Sequence, residues 1–210
     1  MQPRAQFGEK VRPDCADAPV AESPLSWPTA WACIGGGFFL IWPFLLGVLY
    51  GLGIQAAKAP PLRQPAFLSL AAAFGLLLLS LPGWWTILRS SRVGLAGVVL
   101  LAVGFGMWFL DVADNIGGGL LPFAVPSELY AAAVALGSAL LAIGLARTPW
   151  NSRVGLLMVG IGGPLAMGLL AAPWPLGLGP IVPAIVVLYA VGWIRVGFSV
   201  RHAQGLAVTD

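Results

Sequence analysis

From Val154 to Ile194 the chain carries no charged side chain. A water-soluble domain covers its surface with charged and polar groups, at roughly a quarter of its residues. At 210 residues, such a domain has too little interior to hide an apolar run of this length. Four further long apolar blocks precede this one. Hydrocarbon is then the expected surrounding, and in hydrocarbon each backbone polar group must be paired within a helix or a closed barrel. Barrel strands alternate apolar and polar residues at every second position. Leu76-Leu77-Leu78-Leu79 and Ile185-Val186-Val187-Leu188 do not alternate. The expected fold is all-α, a polytopic transmembrane helical bundle in a lipid bilayer.

Composition agrees. The chain is 59% hydrophobic and 9% charged, with mean hydropathy +0.89. Its 28 Gly and 18 Pro lie scattered through apolar stretches, where neighbouring helices can satisfy the backbone groups they free. A net charge of +3 does not point to nucleic acid, because the bases stand singly or in pairs beside apolar spans and act there as topology signals. Residues 1–29 contain Arg4, Glu9, Lys10, Arg12, Asp14, Asp17 and Glu22 but no apolar core, so they read as a disordered cytoplasmic tail and not a cleaved leader.

Charges and turn residues divide the rest into six spans, at about 30–54, 66–88, 93–111, 128–146, 154–172 and 181–198, with a short cytoplasmic tail at 199–210. Helices of roughly 18 to 25 residues, rising 1.5 Å per residue, cross a hydrocarbon core of about 30 Å. Arg89 and Arg92, Arg147 and Arg153, and Arg195 and Arg201 fall at alternate ends of the spans. By the positive-inside bias both termini are cytoplasmic. Lys58 and Arg63 dissent, since alternation puts their loop outside. Trp84, Trp85, Trp150 and Trp193 fall near the inner boundaries and Trp108 and Trp174 near the outer ones, as interfacial rings do. Trp42 alone falls deep. Pro126, Ser127 and Glu128 mark the start of the fourth span, with Ser127 as N-cap.

Ser91-Arg92-Val93-Gly94-Leu95 recurs as Ser152-Arg153-Val154-Gly155-Leu156. Each copy opens a helix. A duplicated helical hairpin and a chance recurrence of a topogenic turn weigh equally.

Asp111, Asp114 and Asn115 form the candidate polar cluster. Spaced i, i+3 and i+4, they share one face if the third helix reaches that far. Their distance from Arg92 places them at the outer interface, where a carboxylate can hydrate. A helix end meeting water, a cation or ligand site, and an ion pair with Lys58 or Arg63 are the three readings. Candidate helix-packing positions are Gly47, Gly51, Gly160, Gly163 and Gly168, whose small faces allow close contact. Pro164, beside Gly162-Gly163, is the expected helix break.

No catalytic, metal or cofactor set is legible. His202 is the only histidine, which excludes bis-histidine haem and a histidine-rich zinc centre. Cys15 and Cys33 frame neither a disulfide scaffold nor a metal site. Deep polar residues are few and uncharged: Ser69, Ser80 and Ser138. The expectation is a non-enzymatic multi-pass protein of the bacterial cytoplasmic membrane, a scaffold or accessory subunit that packs against a membrane-protein partner or further copies of itself. The alternative is a small permease or channel.

Overall fold

A computed structural model describes residues 26–51, 60–117, 126–146, 148, 152–171 and 180–207. These form seven helices: α1 (Ser26–Gly51), α2 (Pro60–Ile87), α3 (Arg92–Gly117), α4 (Ser127–Leu145), α5 (Arg153–Gly160), α6 (Gly162–Ala171) and α7 (Ile181–Ala207). No strand occurs among the described residues. Because α5 and α6 together make one apolar stretch, six helices are long and apolar enough to cross a membrane.

Several ends lie beyond the expected limits. α1 begins at Ser26, α2 at Pro60, and α7 continues to Ala207. Hydropathy reports where a helix leaves hydrocarbon, whereas hydrogen bonding lets the same helix continue into the polar layer. The fifth span is broken, as Pro164 foretold. Ile161 lies between α5 and α6 with φ −101° and ψ −43°, and the amide of Leu165 still reaches the Ile161 carbonyl at 3.1 Å. Pro164 has no N–H to offer the carbonyl four residues back. The start of α4 needs correction: Pro126, in extended conformation, is the cap residue, and no side chain caps the helix. Ser127 is its first helical residue.

The two copies of Ser-Arg-Val-Gly-Leu adopt one local structure. The amide of Gly94 donates to Ser91 Oγ at 3.2 Å, and that of Gly155 donates to Ser152 Oγ at 3.1 Å. Each serine is a helix cap that satisfies an otherwise orphaned donor. Capping therefore accounts for the serine. The glycines serve packing, Gly94 against Leu88 and Gly144, Gly155 against Arg195 and Val196.

Each span packs antiparallel against its neighbour in sequence, and α7 closes back onto α1. The result is a ring of six spans. Its seams are tightest where glycines face backbone. A Cβ at Gly97 would sit 2.5 Å from the Leu141 nitrogen, and one at Gly144 would sit 2.6 Å from Gly94 Cα, so α3 and α4 touch main chain to main chain. Gly37 and Gly197 play the same part between α1 and α7, against the carbonyls of Ala190 and Ala30. Large buried side chains fill the middle: Leu40, Leu77, Trp84, Phe105, Tyr189 and Trp193. Trp84 and Trp193, expected at the interface, are 1% and 0% exposed. Both rings therefore face the interior of the bundle and not the lipid.

Candidate functional site

Helix α3 runs past Asp111 to Gly117, which puts Asp111, Asp114 and Asn115 on its last turns. Asp111 and Asn115 are exposed, and Asp114 is half-buried. The Asn115 side-chain amide donates to the Asp111 backbone carbonyl at 2.8 Å, so it serves the helix end. Lys58 and the side chain of Arg63, the proposed counterions, lie outside the described residues.

Sequence reasoning missed the aromatic half of this cluster. Tyr130, from the first turn of α4, is 6% exposed. Its hydroxyl lies near the Asp111 carboxylate and the Trp108 indole. The Trp108 and Tyr130 rings lie 5.5 Å apart. Glu128 adds a second negative neighbour to Tyr130. The end of α3 and the start of α4 thus form one acidic edge, anchored by a buried phenol and open to water at Asp111. Such an edge attracts cations without enclosing one. Among the described residues no three His, Cys, Asp or Glu side chains converge as a metal site.

From Trp108 a run of rings leads inward. Trp108 stacks on Phe74 at 4.9 Å, Phe74 meets Phe105 at 5.9 Å, and Phe105 meets Trp193 edge-on at 6.1 Å. Trp193 in turn meets Tyr189 at 6.1 Å. The Tyr189 hydroxyl and Ser138 Oγ share a hydrogen bond of 2.9 Å, joining α7 to α4 in the buried interior. Gly163, beside the α5–α6 break, packs against both partners. The indole N–H groups of Trp84 and Trp193 are buried and meet no acceptor in hydrogen-bonding geometry.

At the opposite, basic end, a shallow depression with room for no more than about one water is lined by Trp84, Leu145, Thr148, Ser152, Leu156, Val196 and Val200. Its hydroxyls are engaged locally. Thr148 donates to the Leu145 carbonyl at 2.7 Å, and Ser152 accepts from Gly155.

Of the candidate packing glycines, Gly47 faces Pro183, Gly160 faces Ala142 and Gly163 faces Ser138. Gly51 contacts lie outside the described residues. A Cβ at Gly168 meets nothing within 4 Å among the described residues, and its side of α6 is exposed. Neither a protein-family model, nor a curated protein, nor a solved structure matches this chain.

Proposed function

We propose that this is a non-enzymatic multi-pass protein of the bacterial cytoplasmic membrane, a scaffold or accessory subunit whose helix α1 docks against a membrane partner. The outward face of α1 carries this reading. Trp31, Phe38, Trp42 and Leu45 follow one another at i, i+7, i+11 and i+14 and are 47%, 69%, 45% and 39% exposed. This spacing is one narrow stripe of a helix. On α2, α3, α4 and α7 the exposed large side chains nearest mid-span are aliphatic, as with Leu79, Val103, Leu136 and Leu188. Trp42 stands near the middle of the span Pro28–Leu49. An indole N–H prefers the membrane–water boundary, and in hydrocarbon it favours a neighbour that offers an acceptor. A partner helix supplies that acceptor and covers the rings. The filled centre of the ring supports a structural role over conduction.

Purification of the full chain in mild detergent tests the proposal. A partner or second copy is expected to copurify, to be lost from Phe38→Ala/Trp42→Ala, and to persist in Asp111→Asn/Asp114→Asn. Recovery of a lone monomer in every case overturns it. The second reading, a small permease, is favoured by the α5–α6 break beside Ser138 and Tyr189, since broken helices line transport sites. It requires an ion-dependent flux that disappears in Asp111→Asn/Asp114→Asn.

A further inference from the structure

We infer that α1 is hinged at Pro43 and latched there by Ser69, so that its C-terminal half can swing from the ring while its N-terminal half stays seated. The inference rests on the chain's spanning a bilayer, and not on the partner proposed for the outward face of α1.

Pro43 lies inside α1. It has no N–H to return to the carbonyl four residues back, that of Phe39. The hydroxyl of Ser69, on the neighbouring α2, donates to that carbonyl at 2.6 Å. A side chain 30 residues away thus replaces the bond that the proline removes, as serines of adjacent helices do in membranes. A proline kink with an unanswered carbonyl can settle at several angles, whereas one bonded to α2 is held at one. In hydrocarbon no water stands by to take the serine's place.

The two halves of α1 are seated differently. Before the hinge, main chain meets main chain. A Cβ at Gly37 would stand 2.6 Å from the Ala190 carbonyl oxygen, and one at Gly36 would stand 3.1 Å from that of Ala73. From α7, a Cβ at Gly197 would stand 2.7 Å from the Ala30 carbonyl oxygen. Thr29, Ala30, Ala32, Cys33 and Leu40 are buried. Past Leu40 the seating is shallow: every residue from Ile41 to Leu49 is half-buried or exposed. Gly47 there meets only the Pro183 ring among the described residues, at 3.1 Å. A ring against a glycine can slide, but backbone seated on backbone cannot. The movement the fold allows is a sideways opening of the α1–α7 seam at its Gly47 end, about Pro43.

Nitroxide pairs on the full chain in lipid vesicles, read by double electron–electron resonance in a Cys15→Ser/Cys33→Ala background, test this. Leu45→Cys/Leu188→Cys spans the seam past the hinge, and Phe38→Cys/Phe198→Cys spans it before; all four side chains are exposed. Ser69→Ala should raise the long-distance fraction of the first pair about threefold, the weight of an average interhelical hydrogen bond in a membrane. The second pair should not change. Ser69→Thr keeps the hydroxyl and should match the unsubstituted chain. In Pro43→Ala the new amide serves the Phe39 carbonyl, and Ser69→Ala should then change nothing. An equal rise in that background, an equal rise in both pairs, or no rise at all overturns the proposal. Should Ser69→Ala fail to fold, Pro43→Ala alone should narrow the distribution of the first pair, and an unchanged width overturns it. None of these readouts depends on whether a partner copurifies. Solubility of the chain without any amphiphile would instead sink the membrane reading itself.

Discussion

The hydrogen bond between Ser138 and Tyr189 is the interior contact most exposed to test by single atoms. Both residues are fully or almost fully buried, at 0% and 1% exposure, and the bond ties α4 to α7. Tyr189→Phe removes one oxygen and keeps the ring that packs on Trp193. Interhelical bonds of this kind in membrane proteins contribute about 0.6 kcal/mol on average and at most about 1.7. Tyr189→Phe is therefore expected to destabilise by that amount in a reversible unfolding assay. Ser138→Ala added to Tyr189→Phe should cost little more, because the pair is already broken. Additive losses would show the bond to be idle. Asp111 was legible in the sequence because a carboxylate stands out in an apolar chain. The role of Trp108 was not, because aromatics at helix ends also serve as interfacial anchors, and Tyr130 was not, because only the antiparallel pairing of α3 with α4 brings it to Asp111.

Glycine spacing matters most at the scale of helices. Gly97 and Gly104 on α3 and Gly137 and Gly144 on α4 recur at seven-residue intervals, a repeat that residue numbers alone display. What the spacing could not reveal is that the two sets face each other, since helix partners depend on how the ring closes. Gly97→Ala forces a methyl against the Leu141 nitrogen and the Gly137 carbonyl. Backbone atoms cannot rotate aside, so the helices must part, and overpacking of this kind costs about 1–3 kcal/mol. Gly168→Ala is the matched control, with open space around the new methyl. It should be neutral or stabilising by up to about 1 kcal/mol, from helix propensity alone. Equal losses in the two variants would refute backbone contact as the reason for the α3–α4 glycines. The break after Gly160 was readable from Pro164, because the missing N–H is a property of one residue. The ends of α2 and α7 were not, because charged residues stop an apolar count without stopping a helix.

At the scale of the whole molecule, the charged side chains among the described residues divide by end. Arg89, Arg92, Arg153, Arg195 and Arg201 stand at one end of the ring, and Asp111, Asp114 and Glu128 stand toward the other. This division was visible in the sequence, because alternation of spans assigns every loop to a side. The closure of α7 onto α1 was not, because their residues are separated by nearly the whole chain. That closure has its own electrostatic mark: the Arg201 guanidinium lies 4.6 Å from the Trp31 ring, joining the start of α1 to the end of α7. It also constrains topology, because α1 cannot reverse without α7. Basic flanks are held on the cytoplasmic side, so the arginine end is expected to face the cytoplasm and the Asp111 end the exterior. In a background of Cys15→Ser/Cys33→Ala, a single cysteine at Ser90 or at Ile116, both exposed, can report the side. A membrane-impermeant thiol reagent applied to intact cells should label Ile116→Cys and leave Ser90→Cys unmodified until the membrane is opened. The reverse pattern would mean that Lys58 and Arg63, the two bases on the exterior side of the alternation, outweigh the remaining arginines, and the assignment of both termini to the cytoplasm would fall with it.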